Sequence, residues 1–265
     1  MTKLTTKDHA RIEEIAERFK ILDDMTKAAI EGKVRAMIVS GPPGVGKSYG
    51  VEQQVEKYSM FDRIAGQPLK SDVVKGSTSA VGLYCQLYKY SDPNCVLVFD
   101  DCDSILLDDV SLNLLKGALD SGDKRKISWL SDSSYLRKEH IPDQFDFKGT
   151  VIFITNLKFD QVKSKKLADH LDALQSRCHY IDLTLDSERD KFLRIKQIAD
   201  SGALFGKYEF TQAEQDDIIN FMEANAKGLR ELSLRMALKI ADLTKVSKTN
   251  WKGLAKATCM RPNRG

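Results

Sequence analysis

Gly41-Pro-Pro-Gly-Val-Gly-Lys-Ser48 fits the pattern G-x-x-x-x-G-K-[ST] at every fixed position. Glycines at this spacing let successive backbone N–H groups curl around a phosphate. A helix starting at the end of the loop adds positive potential there. Lys47 can then reach the β- and γ-phosphates of a nucleotide. Ser48 can give one oxygen to Mg²⁺, which takes oxygen ligands and keeps most of its waters. The segment expected to line a nucleotide is Gly41, Pro42, Pro43, Gly44, Val45, Gly46, Lys47, Ser48 and Tyr49.

A second cluster lies in Cys95-Val-Leu-Val-Phe-Asp-Asp101. Four consecutive apolar residues predict a strand buried on both faces, as in a parallel sheet. Two carboxylates follow at its carboxyl end, where open α/β sheets bind their ligands. Asp100 is placed to hold Mg²⁺ through its waters. Asp101 is placed to orient or polarise an attacking water, with Asp103 as a substitute.

The elements around these residues have the spacing that would position them. Val34–Ser40 is an apolar run of strand length before the loop, and Tyr49–Tyr58 reads as the helix after it. His9–Glu31 carries Ile12, Ile15, Phe19 and Leu22 at helical spacing, and Phe19 to Leu22 could also pack on an adenine ring. Further strands are predicted at Leu69–Gly76, Thr150–Asn156 and His179–Leu183, with helices at Ala80–Tyr90, Ser111–Leu119 and Leu167–Arg177. Phe61–Pro68 reads as a turn-rich connection, and Lys124–Gln144 as a short hairpin or exposed loop. This alternation predicts an α/β fold: a parallel sheet with helices on both faces. From Ser187 the strand pattern stops. Glu188–Asp200, Gln212–Asn225, Gly228–Val246 and Asn250–Cys259 read as helices of a small lid. The expected organisation is residues 1–184 as the α/β domain, 185–259 as the lid and 260–265 as a disordered tail.

Composition excludes several classes. A net charge of +3 is too small to argue for nucleic acid by itself. The N-terminal stretch lacks the apolar core of a secretion signal, and no apolar run approaches membrane-spanning length, so a cytoplasmic location is expected. Cys85, Cys95, Cys102, Cys178 and Cys259 show no metal-ligand spacing, and the histidines form no triad pattern.

With these motifs in place, nearly the whole chain, Ile12 to Leu254, resembles an AAA+ P-loop ATPase. Its flavour is similar to small AAA-domain ATPases encoded by bacteriophages, which would place it in a host cytoplasm. The resemblance makes Gly41–Ser48 Walker A and Val96–Asp101 Walker B. It puts Asn156 at the sensor-1 position, on a strand between the two Walker strands. It makes Arg177 an arginine finger, within Leu174-Gln-Ser-Arg-Cys178, which resembles the Ser-Arg-Cys motif of clamp-loader subunits. It makes Arg230, in Gly228-Leu-Arg230, a sensor-2 arginine at the start of a lid helix. The implied ligands are ATP and Mg²⁺, and the implied partner is the chain itself in a homo-oligomeric ring, expected to be a hexamer. One departure matters: the family usually has Glu where this chain has Asp101, and with the shorter side chain hydrolysis is expected to be slow, to run through a relayed water or to need a partner.

The function expected from the resemblance is ATP hydrolysis at subunit interfaces, coupled to remodelling or loading a macromolecule in DNA or RNA transactions. The basic segments Lys124-Arg-Lys126 and Lys163-Ser-Lys-Lys166 favour nucleic acid, although such runs are commonly solvated faces. A protein-remodelling chaperone is the alternative, weakened because Gly76–Ser79 has no aromatic residue for threading. A nucleotide-switched scaffold with little hydrolysis is the other, supported by Asp101.

Overall fold

The computed structural model describes residues 4–162 and 164–262, with Lys166 as backbone only. In chain order the elements are α1 (Thr6–Ile30), β1 (Ala36–Ser40), α2 (Lys47–Ile64), β2 (Ser71–Lys75), α3 (Ala80–Lys89) and β3 (Val96–Asp100). Then come α4 (Asp103–Leu107), α5 (Asp109–Ala118), β4 (Lys126–Ser128), α6 (Ser134–Lys138), β5 (Gln144–Asp146), β6 (Thr150–Thr155), α7 (Lys165–Gln175) and β7 (His179–Asp182). Four helices follow: α8 (Glu188–Asp200), α9 (Gln212–Ala224), α10 (Leu234–Val246) and α11 (Trp251–Cys259).

Five strands form one parallel sheet in the order β2-β3-β6-β1-β7. β1, β3 and β6 are buried at every position, as runs such as Val-Leu-Val-Phe require when both faces are covered. Side chains alternate between faces. Ile38, Leu97, Phe99, Val151 and Phe153 pack with Leu83 and Leu87 of α3, Leu112 and Leu115 of α5, and Leu171 and Leu174 of α7. Phe99 and Phe153 stack across neighbouring strands, with centroids 5.0 Å apart. The alternate residues Met37, Val39, Val96, Val98, Ile152 and Ile154 are equally buried on the other face. The register sets Ser40 beside Thr155 and Asp100 beside Ile154. The residues that follow, Gly41, Asp101 and Asn156, therefore leave the carboxyl edge together.

The chain divides into an α/β unit (Lys20–Gly41, Lys47–Leu183) and a C-terminal unit (Met1–Phe19, Pro42–Gly46, Thr184–Gly265). The division at Leu183/Thr184 falls one residue before the expected one, but the first half of α1 and the loop tip group with the lid helices. Ion pairs explain the first of these. Asp8 accepts from Arg189 Nε at 2.9 Å, and Asp190 accepts from Arg11 Nε at 2.8 Å. Each holds its carboxyl below the usual aspartate range, chiefly through the arginine hydrogen bonds. The apolar core of the C-terminal unit is Phe192, Ile195, Ile218, Met222, Leu229, Ala237, Ile240 and Trp251, among others. Capping boxes at Ser187 and Thr211 start α8 and α9.

Three expectations need correction. α2 runs on to Ile64, so Phe61 and Ile64 lie on a helix rather than a turn; both are exposed and gave no core signal. The helix expected from Gly228 begins at Leu234, because the Ser233 hydroxyl caps it by accepting from Met236 N at 3.1 Å. The chain before it pairs with the C-terminus instead: Leu229 forms a β-bridge with Met260, and Arg261 N donates to Gly228 O. Met260 and Arg261 are therefore ordered, against the expected disordered tail; residues 263–265 lie outside the described residues.

Candidate nucleotide-binding site

In the α/β unit, Lys47 opens α2 and is buried. Its Nζ donates to Gly41 O at 2.7 Å and to Asn156 Oδ1 at 2.8 Å. The Asn156 amide nitrogen in turn donates to Asp101 Oδ1 at 2.7 Å. Lys47, Asn156 and Asp101 are thus linked in one chain across three adjacent strands. Asn156 accepts from the cation with its oxygen and donates to the anion with its N–H, using both ends of its amide. Asp101 sits at φ +53°, a left-handed conformation that Asp tolerates better than most residues. That turn, with Asp101 N bonded to Ile154 O, takes the chain out of β3.

Beside this chain, Ser48 Oγ donates to Asp100 Oδ1 at 2.8 Å. Burial pushes the Asp100 carboxyl above its ordinary value, although the Ser48 bond works in the other direction. Lys75, level with Asp100 on β2, has its Nζ 3.8 Å from Asp100 Oδ2 and 2.7 Å from Glu52 Oε1. A hydroxyl and a carboxylate in contact form a hard-oxygen pair suited to Mg²⁺. Asp103 accepts from Thr155 Oγ1 at 2.6 Å, and burial raises it too. Tyr49, also expected to line the nucleotide, is 65% exposed at the start of α2.

In the C-terminal unit, the loop tip has a tight backbone fit. Gly44 lies at φ +71° and Gly46 at φ +105°, where a side chain is strained. A Cβ on Gly44 would also stand 2.6 Å from Ser233 Cβ. The same point is 3.8 Å from Arg235 Cβ. Arg230, the expected sensor-2 residue, is instead exposed and donates through Nε to Met260 O at 3.0 Å. Phe19 is covered by the Arg194 guanidinium, 3.4 Å from its ring centroid, so that face is closed to an adenine.

Residues 37–175 match the model of the ATPase family associated with various cellular activities (AAA). The chain belongs to the AAA family of ATPases. It is 37% identical over 243 residues to an uncharacterised 36.7 kDa protein from the nrdC–mobD intergenic region of Enterobacteria phage T4. That match covers 91% of this chain and 73% of the phage protein. Domain III of the Thermotoga maritima replication initiation protein DnaA has a similar fold, at a TM-score of 0.53. There the identity is 8%, with 93% of this chain and 92% of that one covered. No helix among the described residues is long and apolar enough to cross a membrane.

Other residues singled out in the sequence of this AAA chain lie apart from the Lys47–Asp101 chain. Arg177 follows α7; its Nη1 donates to Ala173 O at 2.6 Å, and its Nε stands 3.9 Å from Asp120 Oδ1. Lys124–Gln144 contains α6 and pairs β4 with β5 as an antiparallel hairpin. Not all of its cationic and aromatic residues face water. Arg125 is buried, donates to Ala118 O and Gly149 O at 3.0 Å each, and lies over Phe147. Burial lowers its ionisation to about 10, so it stays charged at neutral pH. Trp129 packs on Tyr84 at 5.8 Å. Lys124, Lys126, Arg137 and Lys138 are exposed, as is Tyr135. Lys163 lies outside the described residues.

Proposed function

We propose that this chain binds ATP with Mg²⁺ at Gly41–Ser48 and hydrolyses it in assemblies of its own copies, acting on nucleic acid. The observation that carries the reading is the bonded chain Lys47–Asn156–Asp101 beside the Ser48–Asp100 pair. Lys47 stabilises negative charge on the terminal phosphate. Ser48 and Asp100 would hold Mg²⁺, which when bound neutralises phosphate charge. Asp101 accepts a hydrogen bond from the attacking water and orients it, with its carboxylate aimed by Asn156. Arg177 serves a neighbouring copy's site, since its own contacts are Ala173 and Asp120. Such an interface is head-to-tail and closes into a ring, for which six copies is the expectation from the family.

A DNA or RNA substrate is favoured by fold kinship with a replication initiation protein and by the exposed Lys124, Lys126, Tyr135, Arg137 and Lys138 of the hairpin. A steady-state ATPase assay with and without single-stranded DNA, RNA and denatured protein tests this. Nucleic acid should stimulate turnover, and alanine at those five positions should abolish the stimulation while sparing basal activity. Stimulation by denatured protein alone would establish the chaperone reading. The nucleotide-switched scaffold is favoured by Asp101, whose carboxylate is set back by about a C–C bond relative to Glu. Tight ATP binding with negligible turnover under every condition would establish that reading.

A further inference from the structure

A phosphate-binding loop turns successive N–H groups toward the anion, so its carbonyls face outward and need partners of their own. In this chain the C-terminal unit supplies them. Leu234 N donates to Gly44 O at 2.8 Å, and Arg194 Nε donates to Val45 O at 3.4 Å. Arg194 comes from α8 and is 8% exposed. Its Nη1 donates to Gln197 Oε1 at 2.7 Å, and its plane rests on Phe19, 3.4 Å from the ring centroid. A Cβ on Gly46 would lie 3.4 Å from Leu234 Cδ1, 3.7 Å from Arg194 Nη2 and 3.9 Å from Phe19 Cε1. The loop tip is thus walled by Leu234, Arg194 and Phe19, with two of its carbonyls bonded from that wall.

We propose that Arg194 and the Leu234 N–H are positioning groups for nucleotide binding: they hold the Gly44 and Val45 carbonyls outward and keep the loop's N–H groups turned to the phosphates. The inference rests on the nucleotide reading above. It differs from a direct ionic contact in its chemistry. Arg194 acts through a planar fork stacked on an aromatic ring, which lysine cannot reproduce. It acts on the loop backbone, so ATP and ADP should depend on it alike.

Two variants separate this from a general loss of folding. Arg194→Met removes the donors and keeps an apolar stem over Phe19. Leu234→Pro removes only one backbone donor. Leu234 is the first residue of α10, where proline is tolerated, and Ser233 before it is extended at φ −153° and ψ 161°, as a residue preceding proline prefers. Calorimetric titration with ATP and with ADP should show both nucleotides weakened about tenfold in Arg194→Met, the size of one lost charge-assisted bond, and about fivefold in Leu234→Pro, the size of a neutral one. Arg194→Lys should not restore affinity. Hydrogen exchange of nucleotide-free protein should show the 42–48 segment exchanging faster in both variants, with each variant still unfolding in one cooperative transition.

Unchanged affinity and exchange in both folded variants overturn the proposal. So does a loss confined to ATP, or full affinity in Arg194→Lys, since either makes Arg194 a direct phosphate contact. Lys47→Ala serves as the control for the site itself. A wild-type protein that binds neither nucleotide overturns the phosphate-loop reading and this one together, whereas tight wild-type binding that both variants share overturns this one alone.

Discussion

Replacing Asn156 with alanine removes the middle of the Lys47–Asn156–Asp101 chain while leaving both ends in place. Lys47 keeps its bond to Gly41 O at 2.7 Å, so ATP affinity should change by no more than about threefold, or roughly 0.6 kcal/mol. Asp101 loses the donor at 2.7 Å that aims its carboxylate. A hydrogen bond to a charged group contributes about 1.5–3 kcal/mol. Asp101 is exposed, which puts this bond at the low end, near 1.5–2 kcal/mol, or about 10–30-fold in kcat. The assay is steady-state phosphate release at saturating Mg-ATP, with affinity measured separately by calorimetry. Asn156→Asp sharpens the test. It can still accept from Lys47, but it gives Asp101 no donor and sets a like charge beside it. Its kcat should therefore fall at least as far as that of Asn156→Ala. A kcat unchanged in Asn156→Ala would refute the view that Asn156 positions Asp101.

The remaining predictions concern assembly and stability. Arg177→Ala should bind ATP normally and lose about a thousandfold or more in turnover, and mixing it with Lys47→Ala should restore part of the activity; a fully active Arg177→Ala removes the shared-site model. Arg125→Met should lower unfolding stability by about 2–3 kcal/mol in a urea titration, because it strands the buried Ala118 and Gly149 carbonyls; an unchanged midpoint would show that those carbonyls find other donors. Asp190 has its folded pKa depressed, first by the Arg11 hydrogen bonds, so its stabilisation is full above the unfolded value near 3.9 and is lost as pH falls through the lower folded value. Thermal unfolding between pH 6 and pH 2.5 should fall less steeply for Asp190→Asn than for wild type, and parallel curves would show that the Arg11 pair contributes nothing.

Much of the α/β unit was legible because its central strands are buried on both faces, and Val-Leu-Val-Phe or Thr-Val-Ile-Phe-Ile has no other stable place. The turn between β1 and α2 was legible because its glycines take backbone angles that side chains rarely adopt, as at Gly44 and Gly46. Asn156 carried no local signal; its position became meaningful only once β6 lay between β1 and β3. The start of α10 was set too early because Leu229 and Leu232 extended its apolar pattern backward. The better signal was Ser233, a capping residue directly before Leu234, Met236 and Ala237. Arg125 and Lys126 look alike in sequence, yet one is buried and the other exposed, since only the folded chain brings Ala118 O and Gly149 O to one side chain. Arg194 was missed for the same reason: its partners Phe19 and Val45 are about 150 or more residues away in sequence.

The most direct test of the account is a calorimetric titration of Mg-ATP into the wild-type chain and into Lys47→Ala. The buried Lys47 ammonium, held by Gly41 O and Asn156 Oδ1, is the cation the triphosphate would meet. The wild type should bind with a single class of sites, and Lys47→Ala should lose about a hundredfold or more in affinity, as expected for removing a buried charge-assisted contact. Equal affinity in the two proteins, with both folded, would contradict the assignment of Gly41–Ser48 as the nucleotide site.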